Sequence, residues 1–138
     1  MVTADGVLMS IRPVHAEAIL SGEKTVELRR RRPSFSAGTT VLIYSSSPQQ
    51  RVQGMFESGG VISADPDGLW QLVSERAGVS REVFDSYFAG CEVAYAIEVT
   101  NPRRLPPSRL RLRPPQSYLF LRRANRQHQR LLSLATAV

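Results

Sequence analysis

Hydrophobic and polar positions alternate along GVLMSIR, residues 6–12, with Val7, Met9 and Ile11 on one face and Ser10 and Arg12 on the other. A period of two is that of a strand with one buried face. Pro13 then stands where a first helical position accepts it, and VHAEAIL continues to a stop at Gly22, which predicts a short helix of about nine residues. Alternation returns in KTVELR, residues 24–29: Val26 and Leu28 face inward, while Thr25, Glu27 and Arg29 share the opposite face. Lys24 lies at the elbow entering this strand. Pro33 and Gly38 mark a turn before TTVLIYSSSP, an apolar strand ending in a serine-rich loop. RVQGMFESGGVIS, residues 51–63, predicts a longer strand bent at Gly54 and at the Gly59-Gly60 pair.

Two compact helices follow. One is opened by Asp65 and Pro66 and closed by Gly78; the other is capped by Ser80, carries Val83, Phe84, Tyr87 and Phe88, and stops at Gly90. EVAYAIEV, residues 92–99, predicts a strand with Val93, Tyr95, Ile97 and Val99 inward. The proline-punctuated stretch after it reads as extended, with an edge strand over residues 109–113, and a last helix runs from Ser117 toward Leu134. Connections this short and uneven exclude repeated βαβ units. The fold class is α+β: a small mixed barrel with short helices inserted between strands and a basic C-terminal helix.

With 138 residues the chain forms one domain able to bury a real core. No apolar run approaches the ~20 residues that cross a bilayer, so no membrane role is expected. The start, MVTADGVLMSIRP, has no basic leader followed by an apolar stretch, and the single cysteine, Cys91, cannot form an intramolecular disulfide. Both point to the cytoplasm. The net charge of +6 conceals an asymmetry: residues 1–99 carry nine basic and twelve acidic side chains, residues 100–138 nine basic and none acidic. Such a tail suits RNA or another polyanion, an acidic protein partner, or plain solvation. Phosphate-binding glycine loops and the G-x-S-x-G elbow are missing, and His15, His128 and Cys91 lack ligand-spaced partners. Neither a metal nor a cofactor is expected.

Seventeen of the eighteen basic side chains are arginine; Lys24 is the exception. Either it is chance, or the position requires a compact ammonium that can release a proton, which a guanidinium cannot do. Thr25, Glu27 and Arg29 set a donor, an acceptor and a fixed cation on one surface, a face able to grip a base edge and a phosphate together. The competing reading is a surface Glu27–Arg29 ion pair worth little. Among Arg29 to Arg32 the faces alternate, so Arg29, with Arg31 beside it, would share one side. Tyr44 could stack on a base while Ser45, Ser46 and Ser47 hold a phosphate, or the segment is a turn with a half-buried tyrosine.

The segment GEKTVELR, Gly22 to Arg29, matches the G-x-K-x-x-x-x-R signature of the ASCH domain family, whose members resemble the PUA domains of RNA-modifying proteins. The order of elements is similar too: LMSIRPVHAEAILSG, then VLIYSSSP, the two-helix insertion and the AYAIEV strand, over residues 7–121. The resemblance implies a PUA-like barrel over residues 1–121, with 122–138 as a basic helical extension packed on it or projecting from it. It also implies a cleft beside the motif strand that takes RNA or a modified nucleoside, with Gln116 and Ser117 near the closing end.

One branch of the family resembles acetylcytidine amidohydrolases, which use a lysine, a threonine and a glutamate. The lysine maps to Lys24, the threonine position holds Glu27, Thr25 is out of register, and Glu75 is the nearest match to the glutamate. Binding of RNA or a nucleoside is therefore the first reading. Hydrolysis of an acylated cytidine or of RNA, with Lys24, Glu27 and Glu75 as the catalytic set, is the second. A protein-interaction module is the third.

Overall fold

The computed structural model describes residues 5–136; the outermost positions of the expected domain and extension, 1–4 and 137–138, lie outside the described residues. The chain runs β1 (Gly6–Ile11), α1 (Pro13–Ser21), β2 (Val26–Arg29), β3 (Thr40–Ser45), β4 (Arg51–Ala64), α2 (Pro66–Val73), α3 (Arg81–Tyr87), β5 (Ala94–Arg109), β6 (Tyr118–Leu121) and α4 (Arg126–Thr136). All six strands join one mixed sheet in the order β2-β5-β4-β3-β1-β6, in which only β1 and β3 pair in parallel. The architecture is α+β and PUA-like. The hydrogen-bonded ladder is nevertheless open, because β2 and β6 are its two edges. Side chains tie those edges together: Arg29 at the end of β2 donates to the Ser10 carbonyl of β1 and to Ser117 Oγ, one residue before β6.

Helices cover the sheet on both sides, which explains the near-continuous apolar runs of β1 and β3. Val7, Met9, Val41 and Ile43 pack with Ala16 and Ile19 of α1, whereas Leu8 and Leu42 point the other way, toward Leu131 and Leu132 of α4. Around β2 a third cluster joins Val26 and Leu28 to Leu69, Val73, Phe84 and Phe88 of α2 and α3. Gly54 of β4 lies directly beneath α1. A Cβ there would sit 2.8 Å from the Arg103 carbonyl oxygen and collide with Leu20.

Three expectations are corrected. Val93 is 41% exposed and precedes the strand, while Ala94 and Ala96 are buried. The strand then continues far past Val99, to Arg109, along β4. Its prolines fall where the register shifts, Pro102 between Thr100 and Arg103 and Pro106 and Pro107 between Arg104 and Ser108, places where the ladder is interrupted. Finally, residues 118–121 form β6 against β1 instead of opening a helix. The helix starts later, where Asn125 Oδ1 accepts from the backbone N–H groups of Gln127 and His128 at 2.9 and 3.3 Å. Asparagine is a strong N-cap, and that signal lay in the sequence. Among the described residues no helix is long and apolar enough to cross a membrane.

Candidate functional site

The elbow before β2 is clamped from two sides. Lys24 N–H donates to the Ala18 carbonyl of α1, and Thr25 N–H to the Arg76 carbonyl in the α2–α3 connection. Gly22 permits the reversal out of α1 with φ of 89°. This backbone turns the Lys24 side chain inward, where it is only 1% exposed. Its Nζ donates to the Ala77 carbonyl at 2.5 Å, and its methylenes run along Gly78.

Gly78 is required twice over. Its φ is 66°, and an added Cβ would stand 3.1 Å from Lys24 Cβ and 3.2 Å from Lys24 Cγ. Gly78→Ala is therefore expected to cost about 1–2 kcal/mol in chemical denaturation and to push the ammonium off its carbonyl. A loss within experimental error would show that the connection yields freely.

Two residues into β2, Glu27 is 6% exposed. Arg29 donates to its Oε2 at 3.0 Å, to the Ser10 carbonyl at 3.1 Å and to Ser117 Oγ at 3.1 Å, while Arg29 Nε is buried without a partner. The arginine thus fixes one carboxylate oxygen and keeps donor capacity in reserve. Lys24, Glu27 and Arg29 together border a cavity of about 690 Å³, the size of a small-molecule or nucleotide site. His15 from α1 and Tyr87 from α3 line it too, and the Tyr87 hydroxyl donates to the Leu28 carbonyl at 3.2 Å.

Burial dominates the electrostatics. It lowers the Lys24 pKa from the usual 10.5; the Arg29 charge acts in the same direction and the Glu27 carboxylate opposes both. His15 is lowered from 6.5, first by burial and then by the Lys24 charge, with Arg12 adding to it and Glu27 opposing. Tyr87 is pushed up from 10.0, chiefly by burial. The cavity therefore holds a carboxylate, an ammonium that gives up its proton more readily than ordinary lysine, and an imidazole biased toward its neutral form.

Of the residues singled out in the sequence, Lys24, Glu27, Arg29, Tyr44, Ser46, Ser47 and Gln116 border the cavity, and Ser117 touches it through Arg29. Tyr44 is 5% exposed, its ring packed among Leu8, Leu42 and Val52. Ser45 Oγ is buried without a partner and does not line the cavity. Thr25 faces elsewhere: its hydroxyl accepts from Arg76 Nε at 3.0 Å, and that arginine pairs with Glu98. Arg31 and Glu75 are exposed and border no part of the cavity. No cluster of three acidic, histidine or cysteine side chains suited to a metal occurs among the described residues. Sequence reasoning passed over His15 and Tyr87, having judged the first only as a metal ligand and the second as part of an apolar helix face. The available signal for His15 was its place in the first turn of α1, directly after β1.

The ASCH domain model matches residues 9–103. An ASCH domain-containing ribonuclease of Zymomonas mobilis is 33% identical over 139 aligned positions, covering 95% of this chain and 93% of that protein. The crystal structure of ASCH from Zymomonas mobilis superposes with a TM-score of 0.86 at 31% identity, covering 94% of this chain and 95% of the other. A tyrosine-to-phenylalanine mutant of the Zymomonas protein gives a TM-score of 0.85 at 29% identity, covering 94% and 98% of the respective chains. Taken with the lysine, glutamate and arginine that its G-x-K-x-x-x-x-R segment gathers at one cavity, these matches make the chain a member of the ASCH domain family.

Proposed function

We propose that this protein is an RNA-binding hydrolase that cleaves a phosphodiester held at the Lys24–Glu27–Arg29 cluster. The observation that carries the reading is that one cavity is bordered by a buried Lys24, a buried Glu27 and a half-buried Arg29. An exposed Glu27–Arg29 pair would be worth little, but here the carboxylate is oriented by a guanidinium and lines, together with Lys24, a space that admits a nucleotide. The likeness to a protein named as a ribonuclease supports the same class of chemistry.

In this scheme the Glu27 oxygen not held by Arg29 accepts the proton of a ribose 2′-hydroxyl. The 2′-oxygen attacks phosphorus, the bond to the 5′-oxygen breaks, and the Lys24 ammonium donates a proton to that leaving oxygen. The products of this transesterification are a 2′,3′-cyclic phosphate and a free 5′-hydroxyl, and attack of water on the cyclic phosphate, opening it to a phosphomonoester, completes the hydrolysis. The fixed positive charge of Arg29, which borders the cavity, stabilises the phosphoryl charge as it develops.

Glu27→Gln keeps the shape and removes the base, so cleavage should fall by about 10²–10⁴-fold with RNA still bound. The pH profile carries a second signature. Lys24 acts only while protonated, so the rate declines as pH rises through its lowered pKa, which lies below 10.5. Mass spectrometry of single-stranded RNA incubated with the protein reads the outcome: cyclic-phosphate ends support the scheme. Release of the acyl group from acylated cytidine with the backbone intact would assign the cavity to amide hydrolysis instead.

A further inference from the structure

A second concavity of about 360 Å³ lies outside the cluster, between the end of β5 with the segment after it and α4. Its floor is apolar, made by Leu112, Leu131 and Leu134, and its rim is Arg109, Arg111, Arg126 and Arg130. None of these four arginines makes an ion pair among the described residues. No acidic side chain occurs anywhere in residues 100–138 to pair with them locally. The charge concentration is also built into the ladder: Arg109 of β5 is the register partner of Arg51 of β4. Like charges directly opposite across strands repel, and an anion between them relieves the repulsion.

The groove adjoins the cleft. Leu112 borders the groove and Pro114 borders the cavity holding Lys24, so a single residue separates the two, at most about 7 Å of chain. Arg113 fills the interval and is exposed. On the β4 side, Gln50 borders the cavity and its neighbour Arg51 faces Arg109. Arg51, Arg109 and Arg113 thus stand along the stretches of chain that join the two concavities.

We propose that this groove is an exosite for single-stranded RNA, holding the phosphates of nucleotides flanking the one in the cavity while the leucine floor receives a base or sugar face. The proposal rests on the RNA reading above and extends it from one nucleotide to a length of strand. An acidic peptide is disfavoured because the segment that lines the groove runs directly into the wall of a cavity lined with groups that suit a phosphodiester. Phosphate contacts of this kind carry affinity without sequence preference.

The test uses the full chain with Arg111→Gln, Arg126→Gln and Arg130→Gln combined, three exposed positions whose replacement leaves the fold's clusters untouched. Two RNA substrates are compared, a dinucleotide and a single strand of about ten nucleotides. The expected result is unchanged cleavage of the dinucleotide, at least tenfold weaker binding of the longer strand, and a fall of about 2 in the magnitude of its salt slope, from roughly 0.7 per phosphate contact. Equal binding of the long strand by both proteins, with the dinucleotide still cut, would overturn the exosite and leave the hydrolase standing. Groove-dependent binding of the long strand with no cleavage of either RNA would uphold the exosite and remove the hydrolase. Polyglutamate of matched length displacing the RNA at equal concentration would also overturn the proposal, in favour of an acidic protein partner.

Discussion

Lys24→Arg is expected to reduce RNA cleavage by about 10²–10⁴-fold, the usual worth of a positioned proton donor, while changing RNA affinity by less than about tenfold, or 1.4 kcal/mol. Charge survives the substitution, so attraction of phosphate survives with it. A guanidinium is planar, larger and effectively never deprotonated, so it can neither follow the path beside Gly78 to the Ala77 carbonyl nor hand over a proton. Paired measurements of binding and product formation at one salt concentration decide the matter; full activity in the variant would make the lone lysine a coincidence of composition.

Lys24→Met separates function from folding. The unfolded chain holds the lysine proton more tightly than the folded one does, so the penalty for burying the ammonium is fully present below the lowered folded pKa. It is relieved only as pH rises from there toward 10.5. Glu27 keeps its Arg29 partner in the variant. The inactive methionine protein should therefore be more stable by about 1 kcal/mol at pH values below that folded pKa, with the gain shrinking in alkali. Destabilisation instead would identify Lys24 as a structural residue.

The largest effect on stability is expected from Gly54→Ala, at about 2–3 kcal/mol in denaturant titration. The added methyl meets the Arg103 backbone carbonyl on one side and Leu20 on the other, and only the leucine can rotate away. Lifting α1 from the sheet also moves His15, which stands on the same helix above the cavity. Activity should fall along with stability. A loss under about 0.5 kcal/mol, within the range of an ordinary surface substitution, would show that the helix rests on the sheet less closely than these distances require.

Much of this fold is written in periodicity. The strands around Val7, Val26 and Val41 and the helix from Pro13 to Gly22 follow from spacing and from their stop residues. Tertiary pairing decided what spacing could not: the length of β5 depends on β4 running beside it, and YLFL becomes β6 because β1 offers an open edge. In the candidate site, Lys24, Glu27 and Arg29 were legible because one strand face holds the last two and a compositional exception marks the first. His15 and Tyr87 reach the cavity from two helices, one next to the motif strand in sequence and the other some sixty residues away. No local pattern states which way a helix will turn its polar residue once docked. Thr25 shows the reverse limit, since it precedes the first paired residue of β2 and its hydroxyl is taken by Arg76.

The open sheet has a consequence for the free energy of ligand binding. Its unpaired borders are joined through Arg29, the same side chain that orients Glu27 and keeps an unused donor beside the cavity. In the proposed RNA complex, a phosphate held at the cavity-bordering guanidinium immobilises that group and, through it, the two margins of the sheet. Part of the intrinsic affinity is then converted into cohesion of the seam, and local opening there competes directly with occupancy. Ligand and architecture share one arginine, so the molecule is most firmly closed when it is loaded.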